Sequence, residues 1–274
     1  MKHYLHSHLA SRPIKVLQVG AGGTGSRMLE HLICLHRALL ALGHPAGIDL
    51  MLVDDDTVSA ANIGRQAFYP CDLGAPKAHV LINRANMAMG DMGTVWRAEM
   101  SRLDTRANLS NFDLVIGAVD SRSGRLAILR GLERASGGTR YWCDLGNFQH
   151  TGQVVLGEVT SANRKTDNQW RLPHAAELFP QLVQPKLDKV ADDTPSCSLA
   201  EALEKQSLFI NSAMSLFAAN LLYQLFTKGE IEVHGAFVNL PSMTVLPIAI
   251  DHEEWRRMGV NKDGKRKKTR SISD

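Results

Sequence analysis

The stretch VLQVGAGGTGSRMLEHL, Val16 to Leu32, runs out of an apolar segment into glycines and on into a helical pattern. Ile14–Gly20 reads as a short apolar strand of the kind buried in a parallel sheet. Gly23–Leu42 reads as a helix ending at Gly43, with Pro45 just beyond. Gly20, Gly22 and Gly25 between them make G-x-G-x-x-G in the strand-to-helix context that this motif requires. Glycines there allow a tight turn and close backbone approach, and the helix amino terminus offers free N–H groups to an anion. By itself the motif fits NAD enzymes, flavoproteins, methyltransferases and nucleotidyltransferases alike.

Working outward, IDLMLVD (Ile48–Asp54) is a second strand, about Ala75–Met89 a helix, and TVWRAEM (Thr94–Met100) another strand. FDLVIGAVD (Phe112–Asp120) is a strand, Ser121–Ala135 a helix, and Arg140–Leu145 and Gly152–Glu158 two further strands. This alternation predicts an α/β fold: a doubly wound, Rossmann-like, mostly parallel sheet with helices on both faces. The pattern fails over 158–196, where Pro173, Pro180, Pro185 and Pro195 leave little periodicity. An irregular crossover loop of that length inside a domain is usually functional or disordered. An amphipathic helix over about Leu199–Thr227 then stops at Gly229, and HGAFVNL and MTVLPI close the fold as antiparallel strands. Residues 1–260 thus read as a single domain and 261–274 as a basic, disordered tail.

Composition narrows the class. With 274 residues, 44% of them apolar, the chain can bury a sizeable core. It has no apolar run long enough to span a membrane and no secretory leader pattern at its start, so a cytoplasmic setting is expected. Cys34, Cys71, Cys143 and Cys197 are scattered and form no C-x-x-C pair, which suits a reducing compartment. The net charge of +3 is misleading, because residues 262–274 carry six basic and two acidic side chains, +4, and leave the body near −1. Such a tail is usually just solvated; nucleic-acid binding is the less expected reading.

The chemistry gathers beyond the glycines. Asp54 ends the second strand, where an acid bonds the ribose hydroxyls of a nucleotide. A nicotinamide enzyme would need little more, yet DDDTVSAANIGRQAFYPCDLGAPK adds Asp56, Asn62, Arg65, Gln66 and Lys77. A planar arginine fork and a lysine point charge suit a chain of phosphates. Asp120 sits where the strand FDLVIGAV meets a helix, at the carboxyl edge of the sheet where ligands bind in open α/β folds. Its carboxylate suits Mg²⁺ held against phosphates, the alternative being a simple helix cap.

In order, GAGGTGS, DDDTVSAANIGRQ, APK and GAVDSRSGR resemble the ThiF/MoeB/ubiquitin-activating enzyme superfamily over roughly Ile14 to Leu225. The pattern Asp-x-Asp-x-Val, three residues, Asn, two residues, Arg-Gln is met by Asp54, Asp56, Val58, Asn62, Arg65 and Gln66. Within that superfamily the chain looks most similar to ThiF-like proteins of the bacterial PRTRC system. The resemblance implies an ATP- and Mg²⁺-dependent adenylyltransferase acting on the terminal carboxylate of a ubiquitin-like or sulfur-carrier protein. It implies that Gly22, Gly23 and neighbouring backbone face the α-phosphate and that Asp54 holds the ribose. Asn62, Arg65 and Lys77 would contact phosphates, and Asp120 would bind Mg²⁺.

The resemblance also places Cys197, in TPSCSLAEAL, where some members carry a nucleophilic cysteine that forms a thioester or an acyl disulfide, though many stop at the adenylate. A helix amino terminus would lower its thiol pKa; an idle cysteine is the competing reading. Cys143 is expected to pack in the core. Relatives such as MoeB hold zinc through two C-x-x-C pairs that this chain lacks, so no zinc is expected. Relatives also carry an amino-terminal arginine that reaches the partner subunit's ATP, a role for which Arg12 is poorly placed. His3, His6 and His8 have metal-like spacing, but on an expected flexible terminus they would bind at best adventitiously. Leu208, Phe209, Met214, Leu216, Phe217, Leu221 and Leu222 form a stripe suited to core packing and a homodimer face. The alternatives are a non-catalytic relative that binds nucleotide, a partner or nucleic acid, and an NAD-dependent oxidoreductase.

Overall fold

The computed structural model describes residues 1–90, 92, 94–161, 171–188 and 207–260. Among them an eight-stranded sheet runs in the order β10-β9-β7-β6-β5-β2-β3-β4. Its parallel half comprises β2 (Ile14–Val19), β3 (Ile48–Val53), β4 (Arg97–Glu99), β5 (Leu114–Gly117) and β6 (Thr139–Asn147). The antiparallel half adds β7 (Thr151–Thr160), β9 (Val233–Asn239) and β10 (Thr244–Ala249). A separate two-stranded ribbon joins β1 (His3–Tyr4) to β8 (Glu230–Ile231).

Strand alternation builds two cores. Val16, paired with Leu114, and Tyr141, paired with Leu114 in turn, point to the face covered by α1 (Gly23–Ala41), α2 (Lys77–Met89) and α5 (Ile210–Lys228). Their neighbours Leu17, Val115 and Trp142 point the other way, against Ile128, Leu129 and Leu132 of α3 (Arg122–Arg134) and Ala176 of α4 (Ala175–Leu178). A short α6 (His252–Arg257) closes the far end with its fully buried Trp255.

Helix ends follow local chemistry. Gly43 and Gly229 take left-handed backbone at the ends of α1 and α5, φ +92° and +72°, the conformation that only glycine adopts without strain. Helix α2 starts at Lys77, two residues later than its pattern suggests, because Pro76 occupies its amino-cap position with extended backbone. Helix α5 begins at Ile210, with Phe209 as its amino cap; the earlier start expected at Leu199 lies outside the described residues. The irregular 158–196 stretch opens as the last three residues of β7, and within residues 171–188 it holds α4 and two 3₁₀ turns, Pro180–Val183 and Pro185–Leu187.

The amino terminus departs from the flexible segment expected. His3 is buried, with Nε2 2.8 Å from the Tyr141 hydroxyl, and His6 Nε2 lies 2.8 Å from Glu158 Oε1. Two of the three clustered histidines therefore serve as hydrogen-bonding partners to the sheet. Cys143 is fully buried, as its sequence context suggests, and burial pushes its thiol well up. Arg12 is bonded through both terminal nitrogens to Asp113, 2.8 and 2.6 Å, just ahead of β5 and at the opposite sheet edge from the glycine turn.

Candidate nucleotide-binding site

The carboxyl ends of β2, β3 and β5 open into a cavity of about 970 Å³, at the upper end of the range for small-molecule sites. The glycine turn forms its floor, and each glycine has its own reason. Gly20 has φ +101°, and a Cβ there would lie 2.5 Å from Ala118 O. At Gly25 a Cβ would fall 2.0 Å from Gly20 O, so helix and strand meet here only without a side chain. Gly22 faces open space and caps α1 with no side-chain bond. The first N–H groups of a nineteen-residue helix therefore point at the cavity floor with their dipole uncapped.

Gln18 supports this turn from beneath. It is a fully buried polar residue among apolar neighbours in β2, and its amide donates to Gly20 O at 3.0 Å and Gly25 O at 2.8 Å. Asp54, at the end of β3, accepts from Ala21 N at 2.6 Å and Asp56 N at 3.0 Å. Burial raises its carboxyl pKa, while those two N–H bonds and Lys77 pull it back. The fixed carboxylate is a ready acceptor for a hydroxyl pair.

Lys77 is buried, with its ammonium 2.7 Å from Asp56 Oδ2. Asn62 sits in a short 3₁₀ turn, its Oδ1 accepting from Ser59 N at 2.9 Å, and its carbonyl accepts from Gln66 N at 2.9 Å. Arg65 faces Asp120: burial lowers the guanidinium pKa and the Asp120 charge opposes that. Gln66 is buried on the cavity wall, and its Oε1 meets no partner among the described residues. Asp120 is exposed to the cavity, and the amino cap of α3 is instead Ser121, which accepts from Gly124 N at 3.1 Å. The simple capping role for Asp120 is thereby excluded.

Of the eleven expected residues other than the cysteine, ten line this cavity together: Gly20, Gly22, Gly23, Asp54, Asp56, Asn62, Arg65, Gln66, Lys77 and Asp120. Gly25 lies directly beneath them. Cys197 falls outside the described residues. Sequence reasoning missed a second group, Thr24, Asn147 and Asn211. Thr24 Oγ1 donates to Asn211 Oδ1 at 2.8 Å, and Asn147 Nδ2 reaches both, at 2.9 and 2.7 Å. This knot joins α1, β6 and α5 at the cavity wall, and a Cβ at Gly23 would lie 2.4 Å from Asn211 Nδ2. Nothing in the local pattern marks residues 187 positions apart as partners. Ser101–Thr105, after β4, also line the cavity and were not singled out.

Among the described residues no group of three or more His, Cys, Asp or Glu side chains is arranged to hold a metal. Nor is any helix among them long and apolar enough to cross a membrane.

The model of a family described as the ThiF family matches residues 8–246. The crystal structure of PaaA is similar with a TM-score of 0.55 at 14% identity, over 87% of this chain and 73% of PaaA. E. coli MccB crystallised with ATP gives 0.52 at 13%, over 86% of this chain and 64% of MccB. E. coli MccB with MccA-N7isoASN gives 0.53 at 14%, with the same coverage of 86% and 64%. The chain therefore spans somewhat under two thirds of the length of MccB. Sequence comparison with curated proteins gives no match. At these identities the likeness is one of fold.

Proposed function

The chain belongs to the ThiF family, and from that premise we propose that it is an ATP- and Mg²⁺-dependent adenylyltransferase. Its substrate on this reading is the terminal carboxylate of a small ubiquitin-like or sulfur-carrier protein. The carrying observation is the convergence, at one sheet edge, of a helix amino terminus without a side-chain cap, a ribose-type acid, two cations and the exposed carboxylate of Asp120. A bare dinucleotide site has no use for both Arg65 and Lys77 on its wall. That MccB, a neighbour in fold, crystallises with ATP supports the same reading.

The residues fit the triphosphate and its metal by donor chemistry. Asp120 presents one carboxylate to the cavity, and magnesium takes one or two carboxylates plus phosphate oxygens rather than a full protein cage. When bound, Mg²⁺ neutralises charge on the phosphate oxygens. Asp54 would accept from the ribose hydroxyls, and Gly22 and Gly23 would let backbone approach the α-phosphate. Arg65, Asn62 and Lys77 would hold the remaining oxygens, Lys77 exchanging Asp56 for phosphate. Gln66 contributes a buried amide to the same wall.

In the reaction a carboxylate oxygen of the substrate protein bonds to the α-phosphorus as the bridging oxygen to the β-phosphate departs. The products are an acyl adenylate and pyrophosphate. A carboxylate is already ionised at neutral pH, so the chain's work is positioning and charge compensation, with no general base. On the same reading Cys197 then accepts the acyl group as a thiol ester, with AMP leaving. The apolar exposed face of α5, with Phe209, Leu216 and Tyr223, suits a homodimer contact. The setting on this reading is the cytoplasm.

The experiment is calorimetric titration with ATP, with and without Mg²⁺, and with NAD as control. Mg²⁺-dependent ATP binding supports the proposal. NAD binding, or binding of neither nucleotide, overturns it. A non-catalytic, nucleotide-binding role is the second reading. What favours it is Arg12, which is committed to Asp113 away from the cavity; nucleotide binding without pyrophosphate exchange would establish it.

A further inference from the structure

The first turn of α3 carries an anion that is not a ligand. Asp188 accepts from Arg122 N at 3.1 Å with one carboxylate oxygen and from Ser123 N at 3.3 Å with the other. Arg122 returns the contact: Nη1 reaches Asp188 Oδ1 at 3.2 Å and Leu187 O at 2.7 Å, and Nε reaches Gln181 O at 3.0 Å. With Ser121 Oγ taking Gly124 N, the first three N–H groups of the helix are satisfied, two of them from 65 residues or more away.

A pair of side chains each about one-third exposed would by itself contribute little, because water screens the charges. These contacts differ in what they join. The donors are backbone groups of the helix that begins two residues after Asp120, and the acceptors close residues 171–188 against it. Ala176 and Val183 of the same segment pack on the core beside Ile128 and Trp142. Asp120 itself is held from behind, Arg125 Nη1 donating to its carbonyl at 3.2 Å. Its carboxylate stays in the cavity, where Ser123 and Gly124 also form the wall.

We propose that Arg122 and Asp188 are a positioning pair: their clamp fixes the Asp120 end of α3, so that metal-dependent nucleotide affinity requires the 171–188 segment to be docked. This rests on the functional reading above, for Asp120 as the magnesium residue. The physical reason is that magnesium tolerates little departure from octahedral geometry. A first helical turn that has lost two of its hydrogen-bond acceptors frays, and Asp120 is displaced with it. Binding that does not involve the metal, through Asp54 and the glycine turn, is left alone.

The test compares the full chain with Asp188→Ala, Arg122→Ala and the double variant, by ATP titration with and without Mg²⁺ and by amide hydrogen exchange. In Asp188→Ala the Arg122 and Ser123 amides should lose protection while the amides in the middle of α3 keep it. Mg²⁺-dependent ATP affinity should fall about tenfold or more, the usual scale for removing a support behind a metal ligand. Mg²⁺-free binding should stay at the wild-type value, and the double variant should be no worse than the weaker single one. Should Asp188→Ala fail to fold, Asp188→Asn, which keeps one acceptor oxygen, should show a smaller loss in the same direction. Opened amides with unchanged Mg²⁺-dependent affinity overturn the positioning role, and amides that stay protected overturn the clamp. A wild-type chain without Mg²⁺-dependent ATP binding overturns instead the functional reading on which the proposal rests.

Discussion

One guanidinium, that of Arg125, holds both the buried carboxylate of Asp144 and the backbone of Asp120. Its Nε lies 3.0 and 3.2 Å from the two oxygens of Asp144, and its Nη1 lies 3.2 Å from Asp120 O. Asp144 is fully buried on β6, where burial pushes its carboxyl pKa up and Arg125 pulls it back. A charge pair inside the core therefore sets the position of a carboxylate in the cavity.

Arg125→Ala should be strongly destabilising, by about 3–5 kcal/mol, because it strands Asp144 without a countercharge. Urea unfolding measures this directly. The Arg125→Ala/Asp144→Ala double variant should regain part of the loss while still binding Mg²⁺·ATP weakly, since Asp120 keeps no donor on its carbonyl. A double variant as unstable as the single would refute the stranded-charge account.

Asp120→Ala should abolish ATP–pyrophosphate exchange and leave circular dichroism and the melting temperature near wild type. The side chain is exposed to the cavity and takes no part in capping α3. Unchanged exchange would remove it from the magnesium site.

Two glycines of one motif should respond in opposite ways. Gly25→Ala brings a methyl to 2.0 Å from Gly20 O, a backbone atom that cannot step aside. A stability loss of about 2–3 kcal/mol is expected from such overpacking. Gly22→Ala meets nothing within 4 Å and should fold normally, but its methyl would occupy the space a phosphate needs. Thermal melts and ATP titration of the two variants separate these effects.

Stability should decline in mild acid through His234. Its Nδ1 lies 2.8 Å from Leu156 O, and its Nε2 accepts from Trp255 Nε1 at 3.0 Å, so the neutral ring is the one that fits. Burial pushes its pKa from 6.5 down to about 4. A lowered pKa gives stability that is complete above 6.5 and is lost as pH falls toward 4. A lowering of that size corresponds to about 3 kcal/mol. His174, also lowered to about 4, adds in the same direction. Urea midpoints over that interval, followed by tryptophan fluorescence, should show the decline, and His234→Gln should flatten it. A variant with the wild-type slope would assign the decline elsewhere.

Cys197→Ser should retain adenylate formation and lose any conjugate that dithiothreitol releases. A conjugate that survives the substitution and is still released by dithiothreitol would exclude this cysteine as acceptor. Mass spectrometry of the intact chain with its carrier protein reads both outcomes.

Much of this was legible in the chain because its signals are local. The run from Val16 to Leu32 is long enough to specify strand, turn and helix. The acid at the end of β3 and the cations after it lie close enough in sequence to be read together. Helix starts were less legible: Pro76 moves the start of α2, a cap effect that hydrophobic periodicity does not register. Gln18 was passed over because a buried amide inside an apolar strand has meaning only once Gly20 and Gly25 stand beside it.

The sequence by itself determined the doubly wound sheet, the glycine turn between β2 and α1 and the identity of most cavity side chains, since period, glycine placement and charge act over short stretches. Only the tertiary structure decided that Thr24, Asn147 and Asn211 knot three elements together, and that Arg125 and Asp188 hold the Asp120 turn from two sides. It also decided that two of the three amino-terminal histidines, His3 and His6, bond to side chains of the sheet. These are contacts between residues far apart in the chain, and their partners are chosen by how the layers pack rather than by any neighbour in sequence.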